Sequence, residues 1–103
     1  MTNNTKQSNT ELKNAIDIIG DKWSLLILNQ LIDNGPQRFG ECQRVEGINT
    51  KTLARRLVTL EENGLITRHQ YNEYPPRTEY EITPNGLLLK PMLDELAKWA
   101  SKI

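Results

Sequence analysis

The chain is poor in the residues that most chemistry needs: one cysteine, one histidine and one phenylalanine among 103 residues. A single cysteine excludes an intrachain disulfide, and a reducing cytoplasm is the expected compartment. Cys42 and His69 stand far apart and form neither a metal-ligand set nor a nucleophile–base pair. There is no Gly-rich phosphate loop. No enzyme activity, metal or cofactor is therefore expected. Net charge is missing as well, since 13 Lys and Arg balance 13 Asp and Glu; any nucleic-acid footprint must be local. Long apolar runs are absent, Leu25 to Leu28 being only four residues, so no membrane span is expected. Met1 to Asn9 is polar and has no signal-peptide core. Residues 1–8 are expected to form a flexible tail, and 9–103 a single domain, small but long enough for a core.

What is present centres on Asn49 to Arg77. Asn49 suits an N-cap, with Thr50, Lys51 and Thr52 in the first helical turn. Leu53, Leu57 and Leu60 share one helical face. At about 100° per residue Lys51 and Arg55 fall nearly opposite, with Thr52 and Thr59 beside them. Asn63-Gly64 ends the helix, because glycine takes the left-handed conformation a C-cap needs. Leu65 to Tyr71 and Thr78 to Ile82 read as strands, and Asn72 to Arg77 as the turn between them, since Pro75 and Pro76 cannot donate to a ladder. Between Arg38 and Arg77 seven Lys and Arg face five Asp and Glu, a small positive excess in that segment.

The remaining chain supplies a frame. Ser8-Asn9-Thr10-Glu11 fits a capping box, predicting a helix from about Asn9 to Ile19 with Leu12 and Ile16 in its apolar stripe, broken by Gly20. Asp21 caps the next helix, which is apolar almost all round from Trp23 to Ile32 and so belongs in the middle of the core, with Trp23 as a core residue. Asn34-Gly35-Pro36 stops it. Gln37 to Phe39 is at most an edge strand. Gly40 to Val45 reads as a short helix with Phe39 and Val45 facing inward, and Glu46-Gly47-Ile48 as a turn. Short helix, glycine turn and longer helix is the helix-turn-helix spacing. Thr83-Pro84 marks a helix start. Pro91 kinks this last helix, or divides a short segment from a longer one ending near Lys102. Leu89, Met92, Leu93, Leu96, Trp99, Ala100 and Ile103 recur every three to four residues, a seam that needs a cover.

These pieces resemble the HxlR-type winged-helix transcription regulators of prokaryotes, relatives of the MarR group. The resemblance rests on Ile19-Gly20-Asp21-Lys22-Trp23, Gly35-Pro36-Gln37-Arg38-Phe39, Ile48 to Leu53, Arg56 to Ile66, and the wing from Tyr74 to Thr83. It covers about Glu11 to Trp99. It implies a mainly α fold with a small β-hairpin wing (α+β), a cytoplasmic homodimer joined through terminal helices, and operator DNA as partner. The helix from Asn49 would enter the major groove and the hairpin would touch the backbone or minor groove. Members often carry a redox-sensing cysteine ahead of the tryptophan; here that position is Thr10, which leaves a redox or small-molecule effector open.

Candidate DNA-binding residues are Asn49, Thr50, Lys51, Thr52, Arg55, Arg56, Thr59 and Arg77, with Arg38 and Lys22 as phosphate contacts. Arg56 has an alternative role, packing its stem on the core and pairing with an acidic neighbour; Arg77 has another, closing the hairpin against Glu73 or Glu79. The candidate dimer interface is Leu12, Ile16, Leu89, Met92, Leu93, Leu96, Trp99 and Ile103. Cys42 reads as a small core hydrophobe, or as a redox thiol if exposed beside Arg38 and Arg44. The expected function is a homodimeric regulator reading a near-palindromic operator. The rivals are a winged-helix module for protein contacts, favoured by zero net charge, and a small-molecule sensor at the dimer interface.

Overall fold

A computed structural model describes the backbone of residues 2–45 and 47–103 and the side chains of residues 9–45 and 47–103. Met1 and Glu46, and the expected capping contact of Ser8, lie outside the described residues. Helix α1 spans Thr2–Ile19. It therefore begins within the stretch read as a tail, and Ser8 falls inside the helix, not at its N-cap. Its end is where the sequence put it: Gly20 N donates to Ile16 O at 2.7 Å, and a side chain at Gly20 would run into Ile16.

Helix α2, Lys22–Asn34, starts at the Asp21 cap, whose carboxylate accepts from Ser24 N at 2.8 Å and from Ser24 Oγ at 2.6 Å. Ile27, Leu28 and Leu31 are fully buried, which places α2 at the centre. Trp23 packs partly buried against that centre. Strand β1, Gln37–Arg38, is an edge strand, and α3 is shorter than expected, Phe39–Cys42. Gln30 satisfies this corner: its Nε2 donates to Gln37 Oε1 and to Glu41 O, each at 2.7 Å. Val45 is buried and Phe39 packs against the core, as the sequence predicts.

The turn after α3 includes Gly47 at φ 78°, and α4 then runs Thr50–Glu62. Its Leu53, Leu57 and Leu60 are buried against α2 and the sheet, each contributing about 1.5–3 kcal/mol of hydrophobic stabilisation. Gly64 takes φ 74° behind the Asn63 cap. Strands β2, Ile66–Tyr71, and β3, Arg77–Ile82, pair antiparallel from Ile66↔Ile82 to Tyr71↔Arg77. The sheet order is β1-β3-β2. Arg77 is thus the first residue of β3 and not part of the turn.

Pro91 divides the C-terminal segment into α5, Pro84–Leu87, and α6, Lys90–Ala100. Thr83 caps α5 by accepting from Gly86 N at 3.0 Å, and its hydroxyl donates to Gly64 O at 2.7 Å. The radius of gyration is 15.5 Å, against about 13 Å for a compact domain of this size. The excess comes with apolar side chains left uncovered on α1, on α6 and just after it: Leu12, Ile16, Met92, Leu96, Trp99 and Ile103 are all exposed.

Candidate nucleic-acid interface

The N-terminal half of α4 is held from two sides. The Asn49 side chain accepts from Thr52 N at 2.8 Å, so its oxygen serves the cap. Gln43 Nε2, in the turn after α3, donates to Thr50 Oγ1 at 2.8 Å and ties the two helices together. Lys51 and Arg55 project from the opposite face to Leu53 and Leu57, exposed and without an ion-pair partner among the described residues. Two unpaired cations on successive turns leave their full charge for an anionic partner. One turn further the same stripe holds Val58 and Glu62. The basic surface is therefore confined to the start of the helix, the part of a recognition helix that reaches base edges.

The other sequence-nominated residues separate into two groups. Thr52 is half-buried beside Lys51, and Arg38 is exposed on β1 with no ion pair among the described residues. Lys22 is exposed at the start of α2, its Nζ 4.7 Å from the Trp23 ring centroid. Three residues are engaged inside the molecule. Arg56 Nη1 lies 3.4 Å from Asp21 Oδ2, across the α4–α2 contact, which is the structural alternative read from its position beside the apolar stripe. Thr59 Oγ1 donates back to Arg55 O at 3.2 Å. Arg77 takes the alternative read for it, closing the hairpin, and does not stand free at the wing tip. Its Nε is 3.1 Å from Glu73 Oε1 and 3.9 Å from Glu79 Oε2, and its guanidinium lies 4.2 Å from the Tyr71 ring centroid. The contact with Glu73 is an ion pair by distance but is not aligned as a hydrogen bond, because Arg77 Nε has no hydrogen-bond partner. Sequence reasoning passed over Arg44, exposed in the turn between α3 and α4, and Arg68, exposed on β2, both unpaired among the described residues. Both lie in the segment with the positive excess, which was the available signal.

Cys42 is buried, with 1% exposure. Burial, and then the nearby Glu41 carboxylate, push its thiol up to about 11. Such a thiol is mainly protonated at neutral pH and shielded, which favours the small core hydrophobe over the redox thiol for Cys42. On the dimer side, Leu89 is partly buried and packs against the chain's own core. Leu93 and Leu96 line a groove of about 400 Å³ with Leu25, Leu26 and Ala97 between α2 and α6.

The HxlR-like helix-turn-helix family model matches residues 18–103. The chain belongs to that family. Among relatives of this HxlR-like chain, the uncharacterized HTH-type transcriptional regulator YkvN of Bacillus subtilis (strain 168) is 44% identical over 84 residues, covering 81% of this chain and 70% of YkvN. A structure described as a MarR-family transcriptional regulator of Porphyromonas gingivalis W83 superposes with a TM-score of 0.80 at 41% identity, covering 87% of this chain and 88% of that one. The reduced form of the transcriptional regulator YodB from B. subtilis superposes with a TM-score of 0.80 at 33% identity, covering 90% and 91%. The HxlR-like family and these relatives are regulators and not enzymes. The three-stranded sheet and the α3–turn–α4 unit are the winged helix-turn-helix of that family.

Proposed function

We propose that this HxlR-like chain is a sequence-specific DNA-binding transcription regulator of the cytoplasm, acting as a homodimer on a near-palindromic operator. The observation that carries it is the pair Lys51 and Arg55, exposed and unpaired on the outer face of α4, whose inner face is locked into the core. Asn49, Thr50 and Thr52 begin the same helix and support contacts to phosphates or base edges. Arg38, Arg44 and Arg68 supply further unpaired cations around it. The apolar faces of α1 and α6 support the dimer, since uncovered Leu12, Ile16, Leu96 and Trp99 cost free energy in water that a second copy would recover. A two-fold axis would set two copies of α4 on half-sites about one DNA turn apart.

The protein-contact rival loses ground, because the recognition face is cationic and the relatives YkvN, YodB and the P. gingivalis protein are all regulators. The likeness to YodB does not transfer a thiol switch to this chain: Thr10 stands at the usual cysteine position, and the single cysteine is buried. Fluorescence anisotropy on a duplex from upstream of the protein's own gene, titrated at several salt concentrations against a scrambled duplex, tests the reading. Tight binding to the native duplex alone, falling linearly in log salt, is the expected result. Loss of Lys51 and Arg55 with no change in affinity would overturn the placement of α4 on DNA.

A further inference from the structure

We propose that the wing meets DNA through Tyr74, and that Arg77 is a positioning residue that holds Tyr74 at the tip. This rests on the DNA-binding reading and names the residue at the wing's contact.

The hairpin is an arm. Ile66 is buried, but every residue of β2 after it is exposed. From Ile66 to Tyr71 the strand advances about 17 Å at the usual rise per residue. The tip therefore stands clear of the protein body, where only another molecule can touch it. Residues 72–76 read Asn-Glu-Tyr-Pro-Pro and contain no cation. The nearest cation in sequence, Arg77, is spent: Glu73 and Glu79 flank it and the Tyr71 ring lies beside it.

That pairing has an electrostatic consequence for the tip. Glu73 alone would repel a phosphate backbone; with Arg77 at 3.1 Å its charge is offset. What a nearly neutral tip then offers is hydrogen bonding and ring surface. Tyr74 supplies both, and it is 99% exposed, the most exposed large hydrophobic side chain among the described residues. Its phenolic O–H can donate to a phosphate oxygen, and tyrosine is among the side chains that make such contacts. Its ring offers apolar surface to the adjacent deoxyribose. Two prolines follow it directly and restrict the backbone that carries it. An exposed ring on a braced arm loses little conformational freedom when it docks.

The test is anisotropy of the full chain with a labelled 30-base-pair duplex of arbitrary sequence, since contacts to phosphate and sugar do not require the operator. Wild type, Tyr74→Phe, Tyr74→Ala, Arg77→Ala and Arg77→Ala with Glu73→Gln are titrated at several salt concentrations. The expected losses of affinity are about threefold for Tyr74→Phe and about tenfold for Tyr74→Ala. The salt slope should stay at the wild-type value for both, because tyrosine carries no charge and releases no counterion. Arg77→Ala should weaken binding by leaving Glu73 unpaired, and adding Glu73→Gln to Arg77→Ala should recover most of that loss. Melting temperatures of the two Tyr74 variants should match wild type, as an exposed ring supports no fold. Tyr74→Ala binding as tightly as wild type would overturn the proposal. So would an Arg77→Ala loss that persists in full when Glu73→Gln is added, the signature of a direct phosphate contact by Arg77. Wild type failing to bind any duplex at low salt would overturn the DNA-binding reading itself, and this inference with it.

Discussion

Arg56 and Asp21 join α4 to the start of the central helix α2. Arg56 Nη1 lies 3.4 Å from Asp21 Oδ2, and the same carboxylate caps α2 through Ser24. One side chain thus closes the N-terminus of α2 and anchors the back of α4. Burial pushes the Asp21 carboxyl up, but the Ser24 hydroxyl, the Ser24 backbone N–H, the Arg56 guanidinium and the Trp23 backbone N–H together hold it below its ordinary value. A carboxyl lowered by folding contributes stability above its unfolded value of about 4, and that contribution is lost as pH falls through the lower native value.

Asp21→Ala should therefore cost about 1–2 kcal/mol at neutral pH, the usual loss for an N-cap. The gap from wild type should close as the pH is taken below about 4. Asp21→Asn keeps an acceptor for the cap and should lose less. Urea unfolding at a series of pH values reads all three. A gap that stays constant into acid would mean that the carboxylate charge is not involved.

Lys51→Ala and Arg55→Ala should leave stability within about 0.5 kcal/mol, because both side chains are exposed and unpaired among the described residues. Each should weaken operator binding. A phosphate contact would appear as a salt slope smaller by about one. A bidentate base contact would appear as a loss of about 1–3 kcal/mol confined to one operator position. Arg56→Ala should behave differently, with a small loss of stability of at most about 1 kcal/mol, since the pair it breaks is partly exposed.

The Cys42 thiol should resist modification. Its value in the folded protein is about 11, well above the ordinary 9.0. Folding that raises an acid's pKa contributes stability below the unfolded value and loses it as pH climbs from about 9 toward about 11. Native protein should react with a disulfide reagent at neutral pH only as fast as it unfolds, and denaturant should release the reaction. Rapid stoichiometric labelling of the native protein would show that the thiol is accessible after all.

Leu96→Asp, and separately Leu12→Asp, should shift the protein from dimer to monomer in sedimentation velocity. Both positions are exposed in the single chain, so the circular dichroism spectrum should not change. Operator affinity should drop at least about tenfold once one half-site is lost. A wild type that sediments as a monomer at micromolar concentration would refute the interface.

Gly86→Ala should destabilise the fold although alanine favours helices. The added methyl would overlap Leu65 O and the Ile82 side chain, because α5 lies directly on the strand ends. Thermal unfolding should show a lower midpoint, whereas Gly40→Ala, which meets open space, should not lower it.

The sequence by itself determined what depends on near neighbours. The Asp21, Asn49 and Thr83 caps, the Gly20 and Gly64 stops, the leucine face of α4 and the hairpin all appear where their local signals lie. Caps, turns and helical faces are set by residues within about four positions of one another, so they are legible in a linear string. The start of α1 was not: Ser8, Asn9 and Thr10 are weak helix formers that favour a cap, yet the helix runs through them from Thr2. Only the tertiary structure decided which cations remain available. Arg56 meets a carboxylate 35 residues away, and Arg77 is drawn out of the turn by the register that sets it opposite Tyr71. Leu89 and Leu93 belong to one apolar periodicity with Leu96 and Trp99, yet Leu89 joins the chain's own core while Leu96 and Trp99 remain uncovered. Periodicity says that a face is apolar; the packing of α6 against α2 decides which part of that face this chain covers for itself.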